Sequence, residues 1–235
     1  MNRSPSVYRI DRLELAFEPK PWVFSVDHRA DIDAFFAALK RDKPALWNGR
    51  VLLLHHQVIT EGVFRGAYLE TDYASFAAWR SWGYPPVGAH DCFGAAAIMS
   101  ADGAFLLGCM GAHTANAGQV YFPCGTPDPG DIVDGKVDLD FSVWRELKEE
   151  TGLDAAEFSA EPAWTTVVDG ALIALIKVLR SNQSAEALRA RILDQLGREQ
   201  QPEFSDIRIM RRVTDFDAAM PGFVTAFLAQ RFAGG

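Results

Sequence analysis

Apolar residues recur along this chain in two rhythms, and the points where the rhythm changes mark its elements. Ser6 to Phe17 alternates apolar and polar positions and predicts a first strand. Ile32, Phe35, Phe36 and Leu39 fall at helical spacing and predict a helix over Asp31 to Lys40. The short apolar runs Val51 to Leu54 and Val63 to Leu69 read as strands. Asp72 to Trp82 places Tyr73, Phe76, Ala77 and Arg80 on one helical face. Gly83 to Gly88 then breaks the pattern with turn residues, which suggests a boundary between residues 1–88 and 89–235.

Beyond that boundary, Phe93 to Ser100 and Ala104 to Cys109 predict a hairpin turned at Ala101-Asp102-Gly103. Gln119 to Phe122 reads as another strand, and Pro123 to Asp140, rich in Gly, Pro and Asp, as loop. A helix is expected from Phe141 to Thr151, with Asp140 as its cap and Gly152 as its stop. Ala171 to Leu179 and Ile207 to Arg211 read as strands, and Ala185 to Gln195 and Phe216 to Phe232 as helices. Strands mixed with helices in this order favour an α/β (α+β) architecture over a helical bundle.

Composition narrows the classes of function. The chain has 235 residues, 49% hydrophobic and 23% charged, which is enough apolar material for a sizeable core. Its formal net charge of −8 argues against general nucleic-acid binding, which rewards clustered Lys and Arg. Cys92, Cys109 and Cys124 are odd in number and form no C-x-x-C pair, so neither a disulfide framework nor a zinc site is expected. The apolar run Ala171 to Leu179 is about half a membrane span and contains Lys177. The first fifteen residues are interrupted by Arg3, Arg9, Asp11, Arg12 and Glu14, so no signal peptide is read. These features point to a cytoplasmic protein with no membrane partner.

The chemistry concentrates in Pro123 to Leu153. At roughly 100° per residue, Glu150 lies about 40° from Glu146 and Glu149 about 60° on its other side. Three carboxylates therefore share one arc, while Val143, Trp144 and Leu147 on the adjoining arc would anchor the helix. Like charges this close raise one another's pKa. A hard divalent cation removes that penalty and prefers oxygen ligands. The plain alternative is a solvated acidic face paired by Arg145 to Glu149.

Arg145 to Leu153, RELKEETGL, fills every fixed position of the second half of the Nudix box, R-E-U-x-E-E-x-G-U with U apolar. Upstream, Gly125 with Asp131 resembles its first half, G-x5-E. The chain thus resembles the Nudix hydrolases, and the region 89–235 is compatible with their whole fold. That fold would be an α/β/α sandwich with a mixed β-sheet, preceded here by a smaller α+β N-terminal region. Two departures stand out. The upstream acid is Asp131 where the family has glutamate, and thirteen residues, Ile132 to Trp144, separate it from Arg145 where the family has seven. The extra residues contain Asp134-Gly135-Lys136, a natural loop tip.

The resemblance implies a role for each matched residue. The carbonyl of Gly125 with Glu146, Glu149 and Glu150 would hold magnesium, or manganese in its place. Arg145 would orient a carboxylate, Glu149 or Glu150 could act in catalysis, and a base or extra ligand would come from a loop near a late strand. Glu203 is the candidate there, and Asp206 the second. The expected substrate is a small nucleotide, a nucleoside diphosphate linked to another group.

Pro21 to Phe24, Thr71 to Tyr73 and Ala78-Trp79 are similar to segments of UDP-sugar-directed members, which would give UMP and a sugar 1-phosphate. Ala117 to Pro123, followed by Asp128 to Asp131, is similar to coenzyme A-directed members, but their preceding arginines are missing and Cys124 stands where they have glycine. A non-catalytic nucleotide-binding module is the third reading. A homodimer is compatible with all three. His55-His56 read as structural, as do Trp79, Trp82 and Tyr84, while His113 and Asn116 lie on a loop within reach of a phosphate.

Overall fold

The structure is a computed structural model that describes residues 4–44 and 46–234. The stretch read as one strand from Ser6 to Phe17 is two, β1 (Ser6–Ile10) and β2 (Arg12–Phe17), broken at Asp11. A short helix α1 (Val23–Asp27) precedes α2 (Arg29–Asp42), which extends the expected helix by about half a turn at each end. β3 (Arg50–Thr60) and β4 (Val63–Asp72) are longer than the apolar runs that predicted them, because their outer halves alternate. They turn at Glu61-Gly62, where both residues have positive φ, 49° and 73°, as a two-residue hairpin requires. Helix α3 (Tyr73–Ser81) begins at Asp72, whose carboxylate accepts from the Ser75 amide at 2.9 Å.

The expected hairpin is present as β5 (Asp91–Met99) and β6 (Phe105–Met110), with Ile98 opposite Leu106 and Met99 opposite Phe105. β7 (Val120–Tyr121) and β8 (Cys124–Gly125) follow. The segment read as loop to Asp140 contains more order than its composition suggests. Pro129–Asp131 forms a 3-10 turn, and β9 (Ile132–Val133) pairs with β10 (Lys136–Val137) across Asp134-Gly135. The extra residues are therefore a tight hairpin, and Lys136 pairs with Ala16 of β2.

Helix α4 (Leu139–Thr151) starts earlier than expected, so Asp140 lies in its first turn and is not its cap. Gly152 ends it with a φ of 71° and an amide bonded to the Lys148 carbonyl at 2.9 Å. β11 (Phe158–Asp169) had no counterpart among the expected elements. Pro162 and the acids around it hide its alternation, and its register slips between Ala160 and Trp164. β12 (Leu172–Ser181), α5 (Ala185–Leu196) and β13 (Phe204–Met210) follow. The final helix α6 (Gly222–Ala233) is shorter than expected, since Pro221 sets its start.

The described chain divides into two compact units, and each takes more than one stretch of sequence. One comprises the chain up to Asp11, Phe93–Gly125, and everything from Asp140 onward. Its sheet runs β1-β11-β12-β5-β6-β13, with β7 on β6 and β8 on β5. Helix α5 packs on β13 and β6, and α6 on β11, β1 and β12. The aromatic core of this unit includes Phe105, Phe122 and Phe227, with the last two rings 5.3 Å apart. The second unit comprises Arg12–Cys92 and Thr126–Leu139. Its sheet, β3-β4-β2-β10-β9, has β2 and β4 parallel and its other pairs antiparallel. Helix α3 packs on β3 and β4, and α2 on α3. Trp79 is buried there, edge-on to Trp22 at 5.5 Å and to Tyr84 at 4.8 Å. Both units mix helices with sheet, the α/β class that the residue pattern predicts. Among the described residues no helix is long and apolar enough to cross a membrane.

Candidate active site

Helix α4 is fixed by its apolar side. Val143 and Leu147 are fully buried, each contributing about 1.5–3 kcal/mol relative to exposure. That anchoring decides where the acids go. Glu146 and Glu150 are 8% and 5% exposed, whereas the Glu149 side chain is 58% exposed. The shared arc predicted for the three is thus divided: two carboxylates turn inward and one outward. Arg145 spans the division, with Nη1 at 2.9 Å from Glu146 and 3.1 Å from Glu149. Its Nη2 lies 3.4 Å from the Ser142 hydroxyl.

Strand β8 lies against the inward pair. The Cys124 amide donates to Glu150 Oε2 at 3.1 Å. A Cβ placed on Gly125 would stand 2.3 Å from Glu146 Oε1, so the missing side chain is the space this carboxylate fills. Glu203, in the segment leading into β13, is the third member. Burial raises the Glu150 pKa well above its ordinary value; the charges of Glu146 and Glu203 and a hydrogen bond to Glu203 raise it further, against the opposing Cys124 amide. Glu203 itself is exposed, and its carbonyl accepts from the Gly111 amide at 2.7 Å. Its place is set by Phe204, whose ring covers the Cα of Gly108 so closely that a Cβ there would be 2.2 Å away.

The remaining expected site residues have other surroundings. Asp206 pairs with Arg189 at 2.7 Å and accepts from the Ile207 amide. Asp131 is completely buried and accepts from the Asp128 amide at 3.0 Å, closing its own 3-10 turn. That is support for a turn by a shortened acid. Asn116 donates to the Tyr121 hydroxyl at 2.9 Å. The bond from the Cys124 amide to Glu150 was not expected from the residues. Only the proximity of P-C-G to the acidic helix could have signalled the amide. His55 lies 3.4 Å from Glu18 in a strand irregularity of the other unit.

Glu146 lies beside Gly125, and Glu150 feels the charge of Glu146 and is bonded to Glu203. The donor chemistry and the cradle at Gly125 fit a magnesium-type ion. Among the described residues, no three His, Cys, Asp or Glu side chains are already arranged as an ion's ligand set. Glu149 is turned to Arg145.

No family model and no curated protein matches the chain. Solved structures of Nudix hydrolases are similar to it. One is a Nudix hydrolase from M. smegmatis, RenU, at 15% identity and TM-score 0.39, covering 62% of this chain and 85% of that one. Another is the MutT protein of Methanosarcina mazei, at 17% identity and TM-score 0.38, covering 62% and 94%. A third is a C. elegans Ap4A hydrolase, at 15% identity and TM-score 0.37, covering 61% and 99%.

Proposed function

We propose that the chain is a Nudix-type pyrophosphohydrolase that acts on a phosphorus-containing acid anhydride, the diphosphate of a nucleoside diphosphate linked to another group. The observation that carries this reading is the buried Glu150 carboxyl, set against Glu146 and Glu203 beside the bare backbone of Gly125. Buried like charges are costly unless a cation or proton compensates them. In this reading Glu146, Glu149, Glu150 and the Gly125 carbonyl hold magnesium, with manganese able to replace it. When bound, the cation neutralises charge on the diphosphate and makes its water more acidic. Arg145 holds Glu146 and directs Glu149. Glu203 accepts the proton of the attacking water at a carboxylate oxygen.

The finer substrate reading is a UDP-sugar, cut to UMP and a sugar 1-phosphate. Its support is the segments similar to UDP-sugar-directed members. Trp22 and Trp79, one from each of two such segments, meet edge-on in the second unit. Coenzyme A and other dinucleotide-type substrates remain the rival class. The test is product release from UDP-sugars, coenzyme A, ADP-ribose and dinucleotides with magnesium and with manganese. Metal-dependent cleavage to two phosphorylated products is expected for one class. Tight nucleotide binding without turnover would replace this reading with a non-catalytic binding module.

A further inference from the structure

We propose that Tyr121 is a substrate-binding residue of this site, its phenol donating a hydrogen bond to a phosphate oxygen of the bound diphosphate, with Asn116 setting the direction of that bond. The inference rests on the pyrophosphohydrolase reading and adds a residue to it.

Tyr121 stands opposite Gly108 in the β6–β7 pair. The Phe204 ring lies over that same glycine, and Glu203 is the residue before it. Three residues beyond Tyr121, the Cys124 amide is bonded to Glu150. Tyr121 therefore lies across β6 from the strand that follows Glu203, and its phenol feels the charges of both Glu150 and Glu203. The loop before it is fastened to the same place, since the Gly111 amide donates to the Glu203 carbonyl at 2.7 Å.

Tyr121 is 5% exposed. Its oxygen accepts from Asn116 Nδ2 at 2.9 Å, and among the described residues no acceptor takes its proton. A buried hydroxyl normally finds a partner for its proton. A diphosphate is an acceptor of the right kind, and it must enter among carboxylates that repel it. Arg145 is committed to Glu146 and Glu149. A neutral O–H group therefore offers attraction without adding charge. Burial, then Cys124, Glu150 and Glu203, push the phenol's ionisation upward against the opposing Asn116 bond, so the donor stays protonated at neutral pH.

Inorganic pyrophosphate with magnesium is the probe, because it carries the group shared by every substrate class considered. Calorimetry on the wild type and Tyr121→Phe is expected to show binding weakened about 10-fold, as for loss of a hydrogen bond to a charged group. For the substrate that is turned over, KM should rise by a similar factor with kcat within about 3-fold. Asn116→Asp supplies an acceptor that captures the phenol proton. It should weaken binding in the wild-type background and have no further effect on Tyr121→Phe.

Unchanged pyrophosphate binding and KM in a folded Tyr121→Phe would overturn the inference, while continued turnover would leave the hydrolase reading intact. Weakened binding in a chain that cuts no substrate would uphold the contact and remove the hydrolysis. A wild type that binds no magnesium pyrophosphate overturns the inference outright.

Discussion

Glu149 and Glu150 are adjacent in sequence and opposite in environment, one exposed against Arg145 and the other buried against carboxyls. Glu150→Gln keeps the shape and the bond from the Cys124 amide to a side-chain oxygen but removes the charge. Turnover should fall at least about 100-fold, the scale for losing an electrostatic contribution at a reacting centre. The same change at Glu149 should also lower turnover steeply, and unchanged rates in both would refute the metal assignment. Stability should separate from activity here. The folded-state pKa of Glu150 is raised, so its ionisation opposes folding above the unfolded value of 4.5. Glu150→Gln should therefore raise the melting temperature at neutral pH while abolishing turnover. Gly125→Ala tests the cradle. Its methyl would displace the Glu146 carboxylate, whose Oε1 lies 2.3 Å from that position. We expect lost activity with the fold retained, read by steady-state rates beside circular dichroism.

At the scale of elements, the acids depend on two fixed pieces of backbone. Helix α4 is oriented by Val143 and Leu147, and the segment before β13 is placed by Phe204 against Gly108. Gly108→Ala would press a methyl into the buried ring of Phe204. Overpacking of this kind costs about 1–3 kcal/mol. Its expected signature is a lower denaturation midpoint together with reduced turnover, because the displaced Phe204 carries Glu203 with it. A variant that keeps both values would show that the approach relaxes without moving Glu203. Much of the element pattern was legible in the residues. Helix α4 and its stop at Gly152, the β5–β6 hairpin and the strand β12 all follow from periodicity and turn chemistry. The missed strand β11 failed for an identifiable reason. Its polar face and Pro162 erase the local alternation, and pairing with β1 and β12 supplies what propensity lacks.

For the whole molecule, stability against pH offers an independent check. Asp91 in the second unit is buried, and its pKa is pushed up to about 6 by burial, against the opposing charge of Arg80 and a bond from Thr126. The folded chain therefore holds an extra proton between the unfolded value of 3.8 and about 6. Stability falls as pH rises through that window and levels off above it. A shift of this size corresponds to about 3 kcal/mol. Asp91→Asn should remove this slope, so that the stability difference between variant and wild type grows from pH 4 to pH 7 in favour of asparagine. Parallel curves would show that folding leaves the pKa of this carboxyl unchanged.

The sequence by itself determined the mixed helix-and-strand class, the acidic helix and the resemblance of RELKEETGL to a Nudix box, because periodicity, capping and side-chain chemistry are local properties. It could not determine that Glu149 would face outward while Glu150 faced inward, since the two differ by only one helical step and the choice depends on what α4 packs against. Nor could it bring Glu203 and Tyr121 to the same place, or assign β1 and β2 to different units. Those outcomes depend on strand register and on the seating of Phe204 over Gly108, contacts between residues distant in the chain that only the packed fold creates.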